Sequence, residues 1–575
     1  MDGDVAGRRM LSAAVIALIL TVGPVAADVT VRPAIVVSPG PSPFRACTAD
    51  DVPGQQDQYD ATNYPNTEIE PWVAVNPRDR RNLIAGWQQD RWSDGGARGN
   101  YSAYSMDGGA TWTKVRLPHT TKCAGGPWTR ATDPWVDLAP DGTAYFMSLV
   151  FENAPPTGGD GPNAMLVNRS RDGGRSWSSP ITLIQDTDPR FFNDKNALTA
   201  DPTDARYAYA VWDRLEALDL AGPGRPQRPS LRELSERSHS ILNALRWPAP
   251  AGALPDTLRD MAASSAAREA AATEALPPLF KGPAWLARTV DGVRSWQPAR
   301  QIYDPGVNRQ TIGNQVAVLP NGDVLNFFAE IRLPDETAYR TTLRFQRSTD
   351  KGATFLPTRN PPAVSRMNTA ANVLITGVFT PDLLFPVRDA SLLFDVAVDP
   401  RNANVYAVWQ DKRFRSFTFE GFSLGDKVVF TMSTDGGTTW SQPILVSQTP
   451  RNANRFREQA FLPSVAVDGN GTIIVTYYDF RNDVPGQREL SDHWAVLCRP
   501  AVADCALASS WGEEVRLTDR SFNYFLAPVA RGLFLGDYMG LSGGGPFVHA
   551  LYGIADGLDR TSLFTRRIRP GASGP

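Results

Sequence analysis

Acidic and amide side chains stand just ahead of a series of apolar, strand-like runs. They are Glu70, Asp133, Asp194 with Lys195, Asn314 with Gln315, Asp395, Glu458, and Asp537 with Tyr538. Crowded carboxylates raise one another's pKa, and a pair split in this way supplies an acid and a base. Such a ring can hydrolyse a glycoside, or hold Ca2+ through oxygen ligands. It can equally cap turns and pair with arginines. A second set closes the runs that follow: Asp90, Glu152, Asp213, Glu330, Asp411, Asp479 and Asp556. Equivalent acids repeated along a chain read as a repeated structural duty, here ion pairs with Arg91, Arg214, Arg332, Arg413 and Arg481. Other chemistries lack their signatures. The chain has 4 His, none in metal-ligand spacing, and neither a G-x-S-x-G elbow nor a phosphate-cradling glycine loop.

The elements that must position these residues recur. Each unit is an apolar run, a polar turn and a second apolar run, which is a hairpin signal. The copies span 70–91, 133–152, 194–214, 313–332, 394–413 and 463–481, with a weaker one at 536–556. A third run leads into an octet and a fourth leaves it. The octets are SMDGGATW (105–112), SRDGGRSW (170–177), TVDGVRSW (289–296), STDKGATF (348–355) and STDGGTTW (433–440). Four antiparallel strands per unit, repeated radially, make a β-propeller blade. The pattern therefore predicts an all-β propeller of seven blades, with six as the alternative. The last unit has three runs, and the segment 29–38 is expected to supply its outer strand and close the ring. In the octets, Asp107, Asp172, Asp291, Asp350 and Asp435 are expected to accept backbone N–H bonds within a tight turn. Gly109, Gly174, Gly352 and Gly437 supply its unusual backbone angles. Residues 216–284 interrupt the third unit with an Ala/Arg/Glu-rich stretch that favours helix, or disorder.

Composition narrows the function classes. The 575 residues carry a formal charge of −3, which gives no polyanion-binding signal and argues against nucleic acid. Residues 1–27 read as a signal peptide: Arg8-Arg9, the apolar run Leu11 to Val22, and Val25-Ala26-Ala27 before a cut ahead of Asp28. A retained anchor is the alternative, and no later run is long enough to span a membrane. The reading is thus a secreted or extracytoplasmic protein. An N-terminal segment (28–64) precedes the propeller (65–570), and a tail (571–575) follows. Four cysteines suit two disulfides in an exported chain. Cys498 and Cys505 flank a short loop and are the favoured pair, leaving Cys47 and Cys123.

The octets resemble the Asp box, S/T-x-D-x-G-x-T/S-W/F, of the sialidase (neuraminidase) superfamily of β-propellers; Val293 replaces the glycine in the third. The resemblance covers about residues 65–570. It implies an exported glycoside hydrolase acting on a carbohydrate or glycoconjugate at the channel mouth, with no required cofactor. The alternative is a non-catalytic propeller that binds glycan or protein, with Ca2+ as a stabiliser. Sialidase-type catalysis needs three arginines on the sugar carboxylate, a Tyr nucleophile with a Glu, and an Asp acid/base. By resemblance, the first arginine is Arg45 in PFRACT, although Ile-Pro does not follow it. Asp94 in WQQDRWSDGG is the acid/base, with Asp90 in reserve, and Tyr538 is the nucleophile. No Glu stands in GNQVAVLPNG, where the family places its acid. No motif fixes the two remaining arginines, for which Arg332, Arg413 and Arg481 at hairpin ends are the candidates; Glu70 and Asp194 join them as sugar-binding candidates. Asp133 and Asp537 are the catalytic candidates by position.

Overall fold

The computed structural model describes residues 29–49, 62–152, 161–218, 280–292, 295–335, 338–368, 377–414, 417–419, 422–486, 489–530, 532–555 and 560–571. The expected signal peptide, Asp556 and nearly all of the expected insertion lie outside them. The described ends of that insertion are strand. Glu216 and Ala217 extend the strand Ala208–Ala217 and pair with Lys281 and Phe280 of the strand Phe280–Gly282.

The chain is all-β and built of antiparallel sheets. Each repeated unit folds as a four-stranded meander whose first strand is the innermost. The first meander runs Glu68–Val75, Leu83–Arg91, Ala97–Ser105 and Thr113–Arg116. The innermost strands of the following meanders are Arg130–Leu138, Phe191–Ala200, Arg309–Val318, Phe394–Val398, Ala460–Val467 and Gly540–Gly544. Each packs on the next, and Gly540–Gly544 packs on Glu68–Val75, so the series closes on itself. Side chains stitch neighbouring inner strands. Asp137 accepts the Ala200 N–H at 2.9 Å, Asp395 accepts the Val465 N–H at 2.8 Å, and Ser464 donates to the Met539 carbonyl at 2.8 Å. The apolar cores lie between adjacent sheets. One joins Phe327 and Phe345 to Trp409; another joins Tyr406 and Phe430 to Tyr477 and Trp511.

The N-terminal segment supplies the outer strand of the last meander. Thr30 and Val31 pair with Arg569 and Ile568, and Ile35 and Val36 with Thr565 and Phe564. A Cys47–Cys123 disulfide ties this segment to the loop after the first meander, and Cys498–Cys505 closes the sixth.

The octets are turns between third and fourth strands. In four of them the leading Ser donates to the Asp and accepts the N–H of the second glycine position, at 2.7–2.9 Å. The Asp also takes the backbone N–H and hydroxyl of the Thr or Ser four residues on. Slight desolvation of these carboxyls is outweighed by the hydroxyl and N–H donors, which hold Asp107 and Asp172 low and Asp350 and Asp435 at about 2. Thr289, Asp291 and Ser295 repeat the side-chain part of the pattern. The turn also docks a meander on its predecessor. A Cβ at Gly174 (φ 89°) would lie 3.0 Å from Ile84 and 3.1 Å from Tyr104 of the first meander. Only a residue without a side chain suits both the angle and the space.

Candidate functional site

Five of the seven innermost strands share a local irregularity. Pairing slips at Ile69/Trp72, Thr132/Trp135, Asp194/Ala197, Ile312/Gln315 and Phe461/Ser464. Inside each slip sits one residue with left-handed φ: Glu70 (51°), Asp133 (49°), Lys195 (46°), Gly313 (65°) and Leu462 (53°). A bulge of this kind bends the strand and redirects a side chain. Equivalence by position therefore joins Lys195, not its neighbour Asp194, to Glu70 and Asp133. It joins Leu462, not Glu458, to the same set; Glu458 accepts the Asn452 N–H and pairs with Arg455.

Lys195 is the hub. Its ammonium lies 2.5 Å from Asp537, 3.4 Å from Asp133 and 3.9 Å from Glu70, with every partner buried. Arg388 grips Asp537 from the other side with two bonds, Nε to Oδ1 at 2.9 Å and Nη2 to Oδ2 at 2.6 Å. Glu70 is held by the Gln88 amide, which also donates to Thr132 at 2.8 Å, and Glu70 accepts the Asp537 N–H. Burial pushes Glu70 up to about 8, against the pull of Lys195. Burial alone would lower Lys195, but Asp133, Asp537 and Glu70 outweigh it and hold the ammonium charged. The cluster thus sets two cations, Lys195 and Arg388, among the carboxyl groups of Glu70, Asp133 and Asp537. Beside it, burial and then Asp194 push Asp213 well up; its two oxygens have no hydrogen-bond partner among the described residues.

A cavity of about 540 Å3, its open mouth included, lies against this cluster and reaches Lys195 and Asp537. One wall is aromatic. Trp72 and Trp135 stack at 3.6 Å between ring centroids, and Tyr538 meets them edge-on at 5.7 and 5.3 Å. The lining also includes Asp389, Asp395 and Gln410. Asp389 follows Arg388 in the segment between the fourth and fifth meanders. It accepts from Gln410 at 3.1 Å and from the Ser391 N–H at 3.3 Å. Burial pushes Asp389 and Asp395 to about 7, above what their hydrogen bonds restore.

The remaining candidates lie elsewhere. Asp94 pairs with Arg130 at 3.1 Å, and that guanidinium stacks 4.1 Å over Trp92. Arg45 and Arg332 are exposed. Arg413 pairs with Asp411 at 2.8 Å. Arg481 bridges Asp479 and Glu514 and stacks 3.9 Å over Trp494. None of these arginines lines the cavity. The expected ion pairs of the second acid set thus form at Asp411 and Asp479. Arg214 instead pairs with Asp186, and Arg91 donates to Gln88. Asp90 is held by Ser42 and the Asn66 N–H. Asp194 is buried and accepts the Lys195 N–H at 2.9 Å. The Tyr538 hydroxyl donates to the Pro134 carbonyl at 3.1 Å, and burial with the nearby carboxylates pushes its pKa well up.

Sequence reasoning missed Arg388, Asp389, Gln88 and Gln410. The signal for the first two was the break in repeat spacing between Met367, where the fourth meander ends, and Phe394, where the fifth begins.

No family model and no curated protein matches the chain. Among solved structures, it is similar to a protein of unknown function from Dyadobacter fermentans, at 14% identity over 80% of this chain and 96% of that one, with a TM-score of 0.39. It is also similar to the α-L-arabinanase of Penicillium chrysogenum in complex with arabinobiose (10%, 94% and 99%, TM-score 0.40). A Hadza microbial sialidase is a third (13%, 85% and 74%, TM-score 0.41).

Proposed function

We propose that the chain is an exported glycoside hydrolase built on a seven-bladed propeller, each meander being one blade. One observation carries the catalytic reading: a single central cavity joins an aromatic wall to two carboxyls held in opposite ways. Asp537 lies between two cations, while Asp389 has neutral partners and an elevated pKa. Carboxyls with contrasting surroundings divide acid and base roles. In this reading a sugar ring stacks on Trp72, Trp135 and Tyr538. Asp389 protonates the departing glycosidic oxygen as the C–O bond breaks. Asp537 serves the anomeric carbon as nucleophile or as base for water. Asp133 and Glu70 hold Lys195, which orients Asp537. The two disulfides support an extracytoplasmic site of action.

A tyrosine nucleophile fits less well. Tyr538 is raised rather than activated, its hydroxyl is engaged, and among the described residues no arginine lines the cavity. The second reading is glycan binding without cleavage; it is favoured by the complete burial of the Asp537 side chain, with both oxygens paired.

The test is a panel of fluorogenic glycosides, α-sialoside included, with and without Ca2+, on the chain from Asp28. Turnover that falls at least ~100-fold in Asp389→Asn, with folding intact, supports the assignment. Turnover unchanged in Asp389→Asn and Asp537→Asn removes it. No turnover together with retained glycan binding selects the second reading.

A further inference from the structure

We infer that the cavity selects an uncharged sugar unit and rejects glycosides whose terminal residue carries a carboxylate. This rests on the carbohydrate reading of the cavity. Recognition of a sugar carboxylate requires a free cation, preferably a guanidinium offering two donors. Among the described residues, the charged groups lining the cavity are Lys195, Asp389, Asp395 and Asp537. The single cation, Lys195, is buried and already bridges Asp537, Asp133 and Glu70. Arg388, beside the cavity, has its Nε and Nη2 committed to Asp537. The charges of Lys195 and Arg388 are thus cancelled by Asp133 and Asp537. Asp389 and Asp395 can only add negative charge, increasingly so as pH rises through about 7.

The remaining polar atoms point the same way. Asn196 lines the cavity, and its amide donates to the Asp133 carbonyl at 2.9 Å. Its Oδ1 is buried out of reach of a ligand in the cavity. One N–H of the Gln315 amide goes to the Phe394 carbonyl at 3.0 Å, and the Gln410 amide donates to Asp389 at 3.1 Å. The lining therefore offers apolar faces for a ring and neutral amide groups for hydroxyls, and no uncommitted cation for an anion.

The experiment uses the chain from Asp28 and a set of oligosaccharides ending in neutral, N-acetylated, uronate or sialic acid units. Binding is read by titration calorimetry at 20 and 300 mM NaCl, and turnover on the same set. The expected result is retention of a neutral or N-acetylated terminus, with carboxylated termini at least ~10-fold weaker, because a like-charged group meets the cavity. Affinity for the neutral ligand should not change with salt, since no ion pair forms across the interface. Preference for a carboxylated terminus, or affinity that falls with salt, overturns the inference and leaves the hydrolase reading standing if turnover is seen. Neutral binding without turnover supports the inference and removes the hydrolase reading. Absence of both binding and turnover overturns both.

Discussion

Replacing Lys195 with Met tests whether the central cluster is a balanced ion network. The substitution keeps most of the side-chain length and removes the charge. Asp537 keeps Arg388 as a partner, whereas Asp133 loses its ammonium and keeps neutral donors, the Lys195 N–H at 3.2 Å and Thr132 at 3.1 Å. Removing one member of a buried ion pair costs about 3–5 kcal/mol, because the other charge stays buried. Unfolding entropy of ~2.1 cal/mol/K per residue gives about 1 kcal/mol/K for a folded chain of roughly 500 residues, so Tm should fall by about 3–5 °C. The deficit should depend on pH. Without Lys195 the central carboxyls are raised in the folded protein, so the variant is penalised most above their ordinary range and recovers as pH falls and protonation neutralises them. Differential scanning calorimetry of both proteins from pH 5 to pH 8 measures this. Arg190→Ala, which breaks the exposed Arg190–Asp188 pair, is the control and should shift Tm by less than about 1 °C. A Lys195→Met deficit below 1 °C, or one that stays constant with pH, would refute the network argument.

Two further outcomes concern the turn packing and the buried acids. Gly174→Ala should destabilise more than Gly486→Ala, by about 1 kcal/mol in urea titrations: both have positive φ, but the added Cβ meets Ile84 and Tyr104 at 174 and nothing within 4 Å at 486. Stability should also fall from pH 6.5 to pH 8. Glu70 (about 8) and Asp137, Asp389 and Asp395 (about 7) retain protons in the folded state that the unfolded chain has released. The unfolded state thus binds fewer protons and the slope is negative. Buried His493 and His549, lowered to about 3, oppose this only below their ordinary pKa near 6.5. A Tm that rises over pH 6.5–8 would contradict the burial of these acids as neutral groups.

What the sequence made legible was local. An octet encodes its own turn, because its Ser, Asp, Gly and Thr bond across two to four residues. Hairpins announce themselves by alternation around a polar turn. Glu70 and Asp133 could be aligned because each precedes Pro-Trp-Val. Lys195 could not, since Lys-Asn-Ala-Leu shares little with that pattern and an acid stands just before it. Arg388 and Asp389 were hidden for a stronger reason. Their segment belongs to no repeat, and the bond from Arg388 to Asp537 spans 149 residues. Such a contact depends on the closing of the ring, which periodicity reports only in outline.

The bulges separate a structural duty from a site. All five shift the register of an inner strand, and one does so with Gly313, which adopts the left-handed angle without strain. If bending the strand were the whole requirement, glycine would serve at each. Glu70, Asp133 and Lys195 instead accept backbone strain of order 1 kcal/mol apiece. Their burial adds a desolvation cost that exact pairing only offsets. A chain that bears both costs at three adjacent inner strands is using those side chains for their charge, and Lys195 among them also lines the cavity. The charge in turn is placed to fix Asp537. Arg388 and Lys195 restrain both of its oxygens, in the one carboxyl of the cluster that also lines the cavity. In the proposed reading, the cluster is therefore the mount for Asp537, and the cavity lined by Trp72, Trp135 and Asp389 is where that carboxylate meets a ligand.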